Sequence, residues 1–285
     1  MDSNNTLGNI KVIFFDLDGT LLSKEGEIGK ETKELVHELK KHDVHFTFAS
    51  GRLHSALIRY AEELEIDTPL VSLDGCIIKS YPEGKVIFES FIKEKYVKKA
   101  LNFAEQYLLH VALCHADAIY YTENNSVIPV VMDKFGAKYE EVHSYDKYLT
   151  ETLEVVFAGD NKDSIRFIKN KMSFPNAFGI STSYFKSNSY EGVYYLHIRK
   201  KNISKGKGAL RLLKYLNVIE ENAAVIGDWY NDLSLFSTRA VKVALANAVP
   251  EIKSLANIIT KRTNNEDGTA EFLEMVLKAK KDNHA

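Results

Sequence analysis

The sequence predicts an α/β protein in which a Rossmann-like parallel-sheet core domain carries an inserted α+β domain. Three observations predict it. Strand-like and helix-like patterns alternate over the first 75 residues, the pattern breaks into hairpins and short strands through the middle third, and the alternation resumes after about residue 190. At 285 residues the chain is longer than one ordinary domain needs, and with 45% hydrophobic and 27% charged residues its composition is that of a globular protein with ample core.

Taken in order, Val12-Ile13-Phe14-Phe15 is an apolar β-branched and aromatic run and reads as a core strand over 11–15. A helix near 30–41, a strand over 44–49, a helix near 54–65 and a strand over 70–73 follow. From Cys76 the texture changes: Ile77-Ile78 and Val86-Ile87-Phe88 flank the turn residues Tyr81-Pro82-Glu83-Gly84 and read as a hairpin. Beyond it lie a helix near 93–107, a strand over 153–157, a helix near 161–172 and the polar aromatic stretch 181–186. The core pattern then returns with a strand over 193–198, a helix near 206–216, a strand over 223–226, a helix near 230–237, a strand over 241–244 and two further units. The resulting division is core over 1–80, insert over 81–190 and core over 191–285, with only the tail 279–285 expected to fray.

Charge and cysteine content narrow the function. Net charge is −2, and no basic stripe or block of like charge appears, so neither nucleic acid nor a membrane surface is expected as partner. Apolar runs such as Val127–Met132 stop well short of the roughly 20 residues that cross a bilayer. Two cysteines, Cys76 and Cys114, with no CxxC and no secretory leader before the first strand, fit a reducing, cytoplasmic setting without a structural disulfide.

Chemistry collects where apolar runs end. Asp16 and Asp18 stand two apart as the first strand closes, so an extended chain points both to one side, and Gly19 permits the bend that follows. Alone, this is equally an acidic turn. Ala49-Ser50-Gly51-Arg52 offers a hydroxyl and backbone amides to an anion, or else a helix cap. Ser204-Lys205-Gly206-Lys207 puts lysines at a helix start, where cations oppose the dipole unless an anion lies nearby. Gly227-Asp228-Trp229-Tyr230-Asn231-Asp232 supplies two more acids and an amide. Placed together at the carboxyl ends of strands in one sheet, these four pieces assemble hard oxygen donors for Mg2+, a carboxylate nucleophile, a hydroxyl and an ammonium, the parts of a phosphoryl-transfer site.

The ordered set DLDGT, SGR, SKGKGAL, GDWYND, ALANA and NNEDGTA resembles the haloacid dehalogenase-like superfamily, specifically its Cof-type phosphatases with a large inserted cap. The resemblance covers nearly the whole chain. It implies that Asp16 is the nucleophile and Asp18 the general acid and base, and that Ser50, Gly51, Lys205 and Asn231 bind phosphate. It also implies that Asp16, Asp18 (through its backbone carbonyl) and Asp228 hold Mg2+, with Asp232 supporting them. The implied substrate is a small phosphorylated metabolite, sugar phosphates above all; a monomer is expected, since an enclosing cap lessens the need for a partner subunit to cover the site. A sugar phosphomutase and a non-catalytic sugar-phosphate-binding regulator are the alternatives. Three departures from the family pattern stand out: Asp74 before Gly75, Trp229 after Asp228, and Leu245 in Ala244-Leu245-Ala246-Asn247. Cys114-His115-Ala116-Asp117 is assigned no role, since zinc takes three or four ligands, and Asn264–Gly268 is expected to cap the last helix or, as the resemblance implies, to lie near the active face and support the site from outside direct contact.

Overall fold

A computed structural model describes residues 3–122, 137–186 and 192–283. The apolar run 127–132 noted above lies outside these residues. The chain divides into two compact units, one formed by Met1–Gly51, Leu57–Ile87 and Ser204–Ala285, the other by Arg52–Ala56 and Phe88–Ile203.

In the first unit the strands β1 (Val12–Phe15), β2 (His45–Phe48), β12 (Ala223–Gly227), β13 (Val241–Ala244) and β14 (Ile258–Ile259) form one sheet in the order β14-β13-β12-β1-β2. Every pairing in it is parallel. All four residues of β1 and all five of β12 are buried, which is why both strands read as unbroken apolar runs: a parallel strand is covered on both faces. Phe15 stacks on Phe46 of the neighbouring strand at 5.6 Å between ring centroids. The helices of this unit are α1 (Ser3–Gly8), α2 (Lys30–Lys40), α3 (Ile58–Glu63), α6 (Lys205–Tyr215), α7 (Pro250–Leu255) and α8 (Gly268–Asn283). Val36 and Leu39 of α2 and Phe272, Leu273 and Val276 of α8 enter its core. Strand β3 (Leu70–Ser72) touches β2 through a parallel bridge between Ala49 and Val71 and begins a three-stranded sheet with β4 (Ile77–Lys79) and β5 (Val86–Glu89).

The second unit is built on a six-stranded sheet ordered β10-β11-β9-β6-β7-β8, where β6 is His110–Cys114, β7 Ile119–Tyr121, β8 Tyr139–Glu141, β9 Glu154–Gly159, β10 Ile180–Lys186 and β11 Tyr194–Lys200. Helices α4 (Glu94–Gln106) and α5 (Lys162–Lys171) contribute Val97, Ala100, Ile165 and Ile168 to a core with Val155, Phe157, Leu196 and Ile198. The Asn161 side chain caps α5 by accepting from the backbone N–H of Asp163 and Ser164. On β11 the residues of opposite parity, Tyr195, His197 and Arg199, carry polar groups, and the buried carboxylate of Glu154 on β9 pairs with Arg199 at 2.7 Å and with His197. Cys76 and Cys114 are both buried free thiols. His115 bonds the Tyr148 carbonyl through Nε2 at 3.0 Å and packs edge-on against Tyr120, a packing role.

Four expectations are corrected. The strand expected over 193–198 pairs antiparallel with β9 and β10, so it belongs to the second unit and not to the resumed core. The units accordingly change at residues 88 and 204, where the sequence placed the changes at 81 and 191. The helix expected near 230–237 is only a 3-10 turn over Tyr230–Asp232. Asp232 and Ser237 turn their side chains back on local backbone, Asp232 accepting from the Asp228 and Trp229 N–H groups and Ser237 donating to the Leu233 carbonyl at 2.8 Å, and such residues favour turns over helix. The tail is no frayed end over 279–283: α8 continues to Asn283 with Ala279 and Lys280 buried.

Phe157 is fully buried in the core of the second unit. Phe157→Ala is expected to lower stability by about 3–5 kcal/mol, read from urea unfolding followed by circular dichroism. A loss below about 1 kcal/mol would contradict this packing.

Candidate active site

The site grows from the carboxyl ends of β1 and β12. Asp16 follows β1 directly, and its N–H donates to the Ile226 carbonyl of β12 at 3.1 Å, so the ladder between the strands carries the nucleophile candidate into place. Asp228 follows β12. The chain after Asp16 folds back over it: Thr20 donates its hydroxyl to Asp228 Oδ1 at 2.8 Å. Gly19, at φ +80°, lies so close to the Asp228 carboxylate that a Cβ there would collide with it, which gives this glycine two separate reasons.

Lys205 closes the cluster. Its Nζ donates to Asp16 Oδ1 at 2.6 Å and to Asp232 Oδ1 at 2.7 Å, with no solvent exposure at all. The other oxygen of Asp232 accepts from the N–H groups of Asp228 and Trp229 at 3.0 and 3.2 Å. Lys205 follows β11 of the other sheet, so it does not project from a strand end of the parallel sheet as expected. It reaches the acids from the first residue of α6, and the helix comes close because Gly206 packs directly on the Ser234 carbonyl, where any Cβ would collide. The Gly206 N–H also donates to the Ser234 hydroxyl at 2.9 Å. Lys207, one turn-face away, is exposed, with its N–H capped by Ser204.

One ammonium thus faces three buried carboxylates. Oxygens of Asp16, Asp228 and Asp232 lie within 4.8 Å of one another, a spacing at which two like charges repel by roughly 3–4 kcal/mol at an effective dielectric near 20. Burial, then repulsion from Asp232 and Asp228, raises the Asp16 carboxyl well above the ordinary range despite Lys205. Burial chiefly, with repulsion from Asp232 and Asp18 against the Thr20 hydrogen bond and the attraction of Lys205, pushes Asp228 up to about 7. Burial alone would depress Lys205, but Asp16, Asp232 and Asp74 together hold it above an ordinary lysine. Three hard oxygen donors with surplus negative charge suit a divalent cation such as Mg2+. Both oxygens of Asp232 are already engaged, so Asp16 and Asp228 are the better direct ligands.

The remaining sequence candidates sit around this cluster. Asp18 is exposed two residues beyond Asp16, and its carboxylate is not part of the buried group. Ser50 and Gly51 follow β2, beside β1. The buried Ser50 donates its N–H to the Val71 carbonyl and accepts from the N–H of Asp74, whose carboxylate lies against Gly51. Asn231 is exposed on the turn after Asp228. Of the three departures, Asp74 adds its charge to the field at Lys205, the Trp229 ring packs on Tyr230 and is 46% exposed, and Leu245 is buried.

The sequence reading missed the residues that fasten the loop after Asp16. Asn247 donates to the Gly19 carbonyl at 2.7 Å and accepts from the Asn264 N–H at 3.0 Å, while the Asn264 side chain donates to the Leu22 carbonyl at 2.8 Å. Asp267 caps α2 from afar, accepting from the hydroxyl and N–H of Thr32. The stretch 264–268 therefore does more than cap α8, and its signal was three side-chain amide and acid groups in excess of what one helix start can use.

Comparison with known proteins follows the same lines. The family model described as haloacid dehalogenase-like hydrolase matches residues 13–273. The chain belongs to this family. Phosphatase YwpJ of Bacillus subtilis is 26% identical over 94% of this chain and 100% of its own length. The 5-amino-6-(5-phospho-D-ribitylamino)uracil phosphatase YitU of the same organism is 25% identical over 92% and 96% of the two chains. The crystal structure of a haloacid dehalogenase-like hydrolase from Bacteroides thetaiotaomicron superposes with a TM-score of 0.82 at 24% identity, covering 94% of this chain and 99% of the other, which supports the fold.

Removing the central cation tests the cluster. Lys205→Met leaves Asp16 and Asp232 buried without a counter-charge and is expected to cost about 3–5 kcal/mol in urea unfolding. Lys207→Met on the same helix should stay within about 0.5 kcal/mol of wild type. Equal effects of the two would contradict the assignment of Lys205 as the central cation.

Proposed function

We propose that this hydrolase is a Mg2+-dependent phosphatase acting on small phosphorylated metabolites, most suitably sugar phosphates, through a phosphorylated Asp16. The observation that carries the reading is the buried Asp16–Lys205–Asp232 contact beside Asp228, an acid held ready at a strand end with one cation aimed at it. The name of the YitU relative, a phosphatase of a phosphorylated ribitylamino compound, supports a polyol phosphate ester as substrate class.

In this reading the Asp16 and Asp228 carboxylates and the Asp18 carbonyl would hold Mg2+, with Asp232 fixing the backbone around Asp228. The bound ion offsets negative charge on the phosphate and on the acids. Asp16 Oδ attacks phosphorus, and the bond from phosphorus to the ester oxygen breaks. Lys205 stabilises the charge that develops on the phosphoryl oxygens, from a position it holds before substrate arrives. The Ser50 hydroxyl, the Gly51 N–H and the Asn231 amide orient those oxygens. Asp18, exposed and able to exchange protons, donates one to the leaving alkoxide and then takes one from the water that attacks phosphorus. Free phosphate leaves and the Asp16 carboxylate returns. The second unit serves as the cap that selects the alcohol half of the ester, and the protein works as a monomer in the cytoplasm. Among the described residues no helix is long and apolar enough to cross a membrane.

Phosphate release from a panel of phosphorylated sugars, nucleotides and cofactors checks this. Release should require Mg2+, stop with chelator, and fall by a factor on the order of 10³ or more in Asp16→Asn. Substantial turnover in that variant would remove Asp16 as nucleophile, and isomerised sugar phosphate in place of free phosphate would make the protein a mutase.

A further inference from the structure

At the opposite end of the parallel sheet from the acidic cluster lies a cavity of about 710 Å³ among the described residues, within the size range of small-molecule sites. Its walls come from the entrances of three adjacent strands. Lys11 precedes β1, Asn222 precedes β12 and His45 opens β2, with His42 and Asp43 on the turn before β2 and Lys280 from α8 completing the lining. Backbone hydrogen bonds tie these entrances together: the Lys11 N–H donates to the Asn222 carbonyl at 2.7 Å, and the His45 N–H to the Lys11 carbonyl at 2.8 Å. The lining is therefore mounted on rigid elements. At about 3.3 Å per residue, the five rises from Lys11 along β1 to Asp16 separate the two by roughly 17 Å.

The charge in this cavity is unbalanced. Two ammonium groups and two imidazoles line it against one carboxylate, Asp43. Lys280 is only 8% exposed, and Asp43 is the carboxylate that acts on it. Burial depresses its ammonium, Lys11 adds to the effect, and Asp43 opposes it only in part. A solvated surface lysine needs no partner, but one withdrawn from water beside a second lysine, with Asp43 and the C-terminus of its helix as counterweights, is further stabilised when an anion enters. The side-chain amide of Asn222 adds a neutral hydrogen-bonding group of the kind that orients such a ligand.

We propose that this cavity is a second ligand site, distinct from the hydrolase centre, which takes the oxyanion group of a small metabolite between Lys11 and Lys280. A phosphate and a carboxylate share the chemistry it recognises: several acceptor oxygens and net negative charge.

The test reads the site without reading turnover, so it stands apart from the proposed phosphatase activity. Full-length protein is titrated with sulfate, inorganic phosphate or citrate at constant ionic strength. The imidazole resonances of His42 and His45, assigned by His→Gln variants, are followed by NMR. Saturable movement of both resonances is expected, with at least a tenfold weakening in the Lys11→Met/Lys280→Met double variant. Tighter saturation by phosphate assigns a phosphoryl ligand, and tighter saturation by citrate a carboxylate one. Absence of saturable movement with all three probes, or equal saturation in the double variant, overturns the proposal. If the double variant loses its circular dichroism spectrum, Lys11→Met alone, at an exposed lysine, decides by the same weakening.

Discussion

The Lys205 ammonium, held between Asp16 and Asp232 with no access to water, is the contact on which the rest of the site depends. A buried lysine is expensive to desolvate and stays charged here only because carboxylates surround it. The same carboxylates exceed its charge, so the cluster is stable enough to form and still under-neutralised. That imbalance suits the site to a cation, which is the basis of the phosphatase reading proposed above.

The fold delivers this arrangement with few parts. Neighbouring parallel strands β1 and β12 set Asp16 and Asp228 side by side, which no local sequence could do. Gly19 and Gly206 then remove side chains where the loop after Asp16 meets Asp228 and where α6 meets Ser234. A further belt of Asn247, Asn264 and Asp267 holds the loop and the start of α2 without touching the charged cluster through any hydrogen bond described above. Position is therefore enforced from several elements, which leaves the carboxylates and Lys205 preorganised in the sense the proposed chemistry needs.

Much of this was legible in the residues, and the exceptions have physical reasons. Strands β1 and β12 announce themselves because both faces are buried, leaving continuous apolar runs that stop at an acid. Strand β11 was placed in the wrong sheet, although its pattern differed: Leu196 and Ile198 alternate with His197 and Arg199, the mark of a strand with one face in a core. Lys205 and Lys207 look alike in sequence. Only the depth of α6, set by Gly206 against a residue 28 positions away, buries one and exposes the other. The turn over Tyr230–Asp232 read as helix because its apolar spacing fits one, while its short polar side chains compete for the backbone. The roles of Asn247 and Asn264 depend on partners more than 200 residues away, so the surplus of amide and acid groups over 264–268 did not say what they hold.

The central claim is that one ammonium leaves three buried carboxylates under-neutralised, and thermal unfolding of metal-stripped protein across a Mg2+ titration tests it most directly. The account predicts a saturable rise in melting temperature for the wild type, equivalent to about 2.7 kcal/mol at a hundredfold excess over the dissociation constant, and little or no rise for Asp228→Asn. A wild type indifferent to Mg2+, or an Asp228→Asn variant that gains as much, would contradict it.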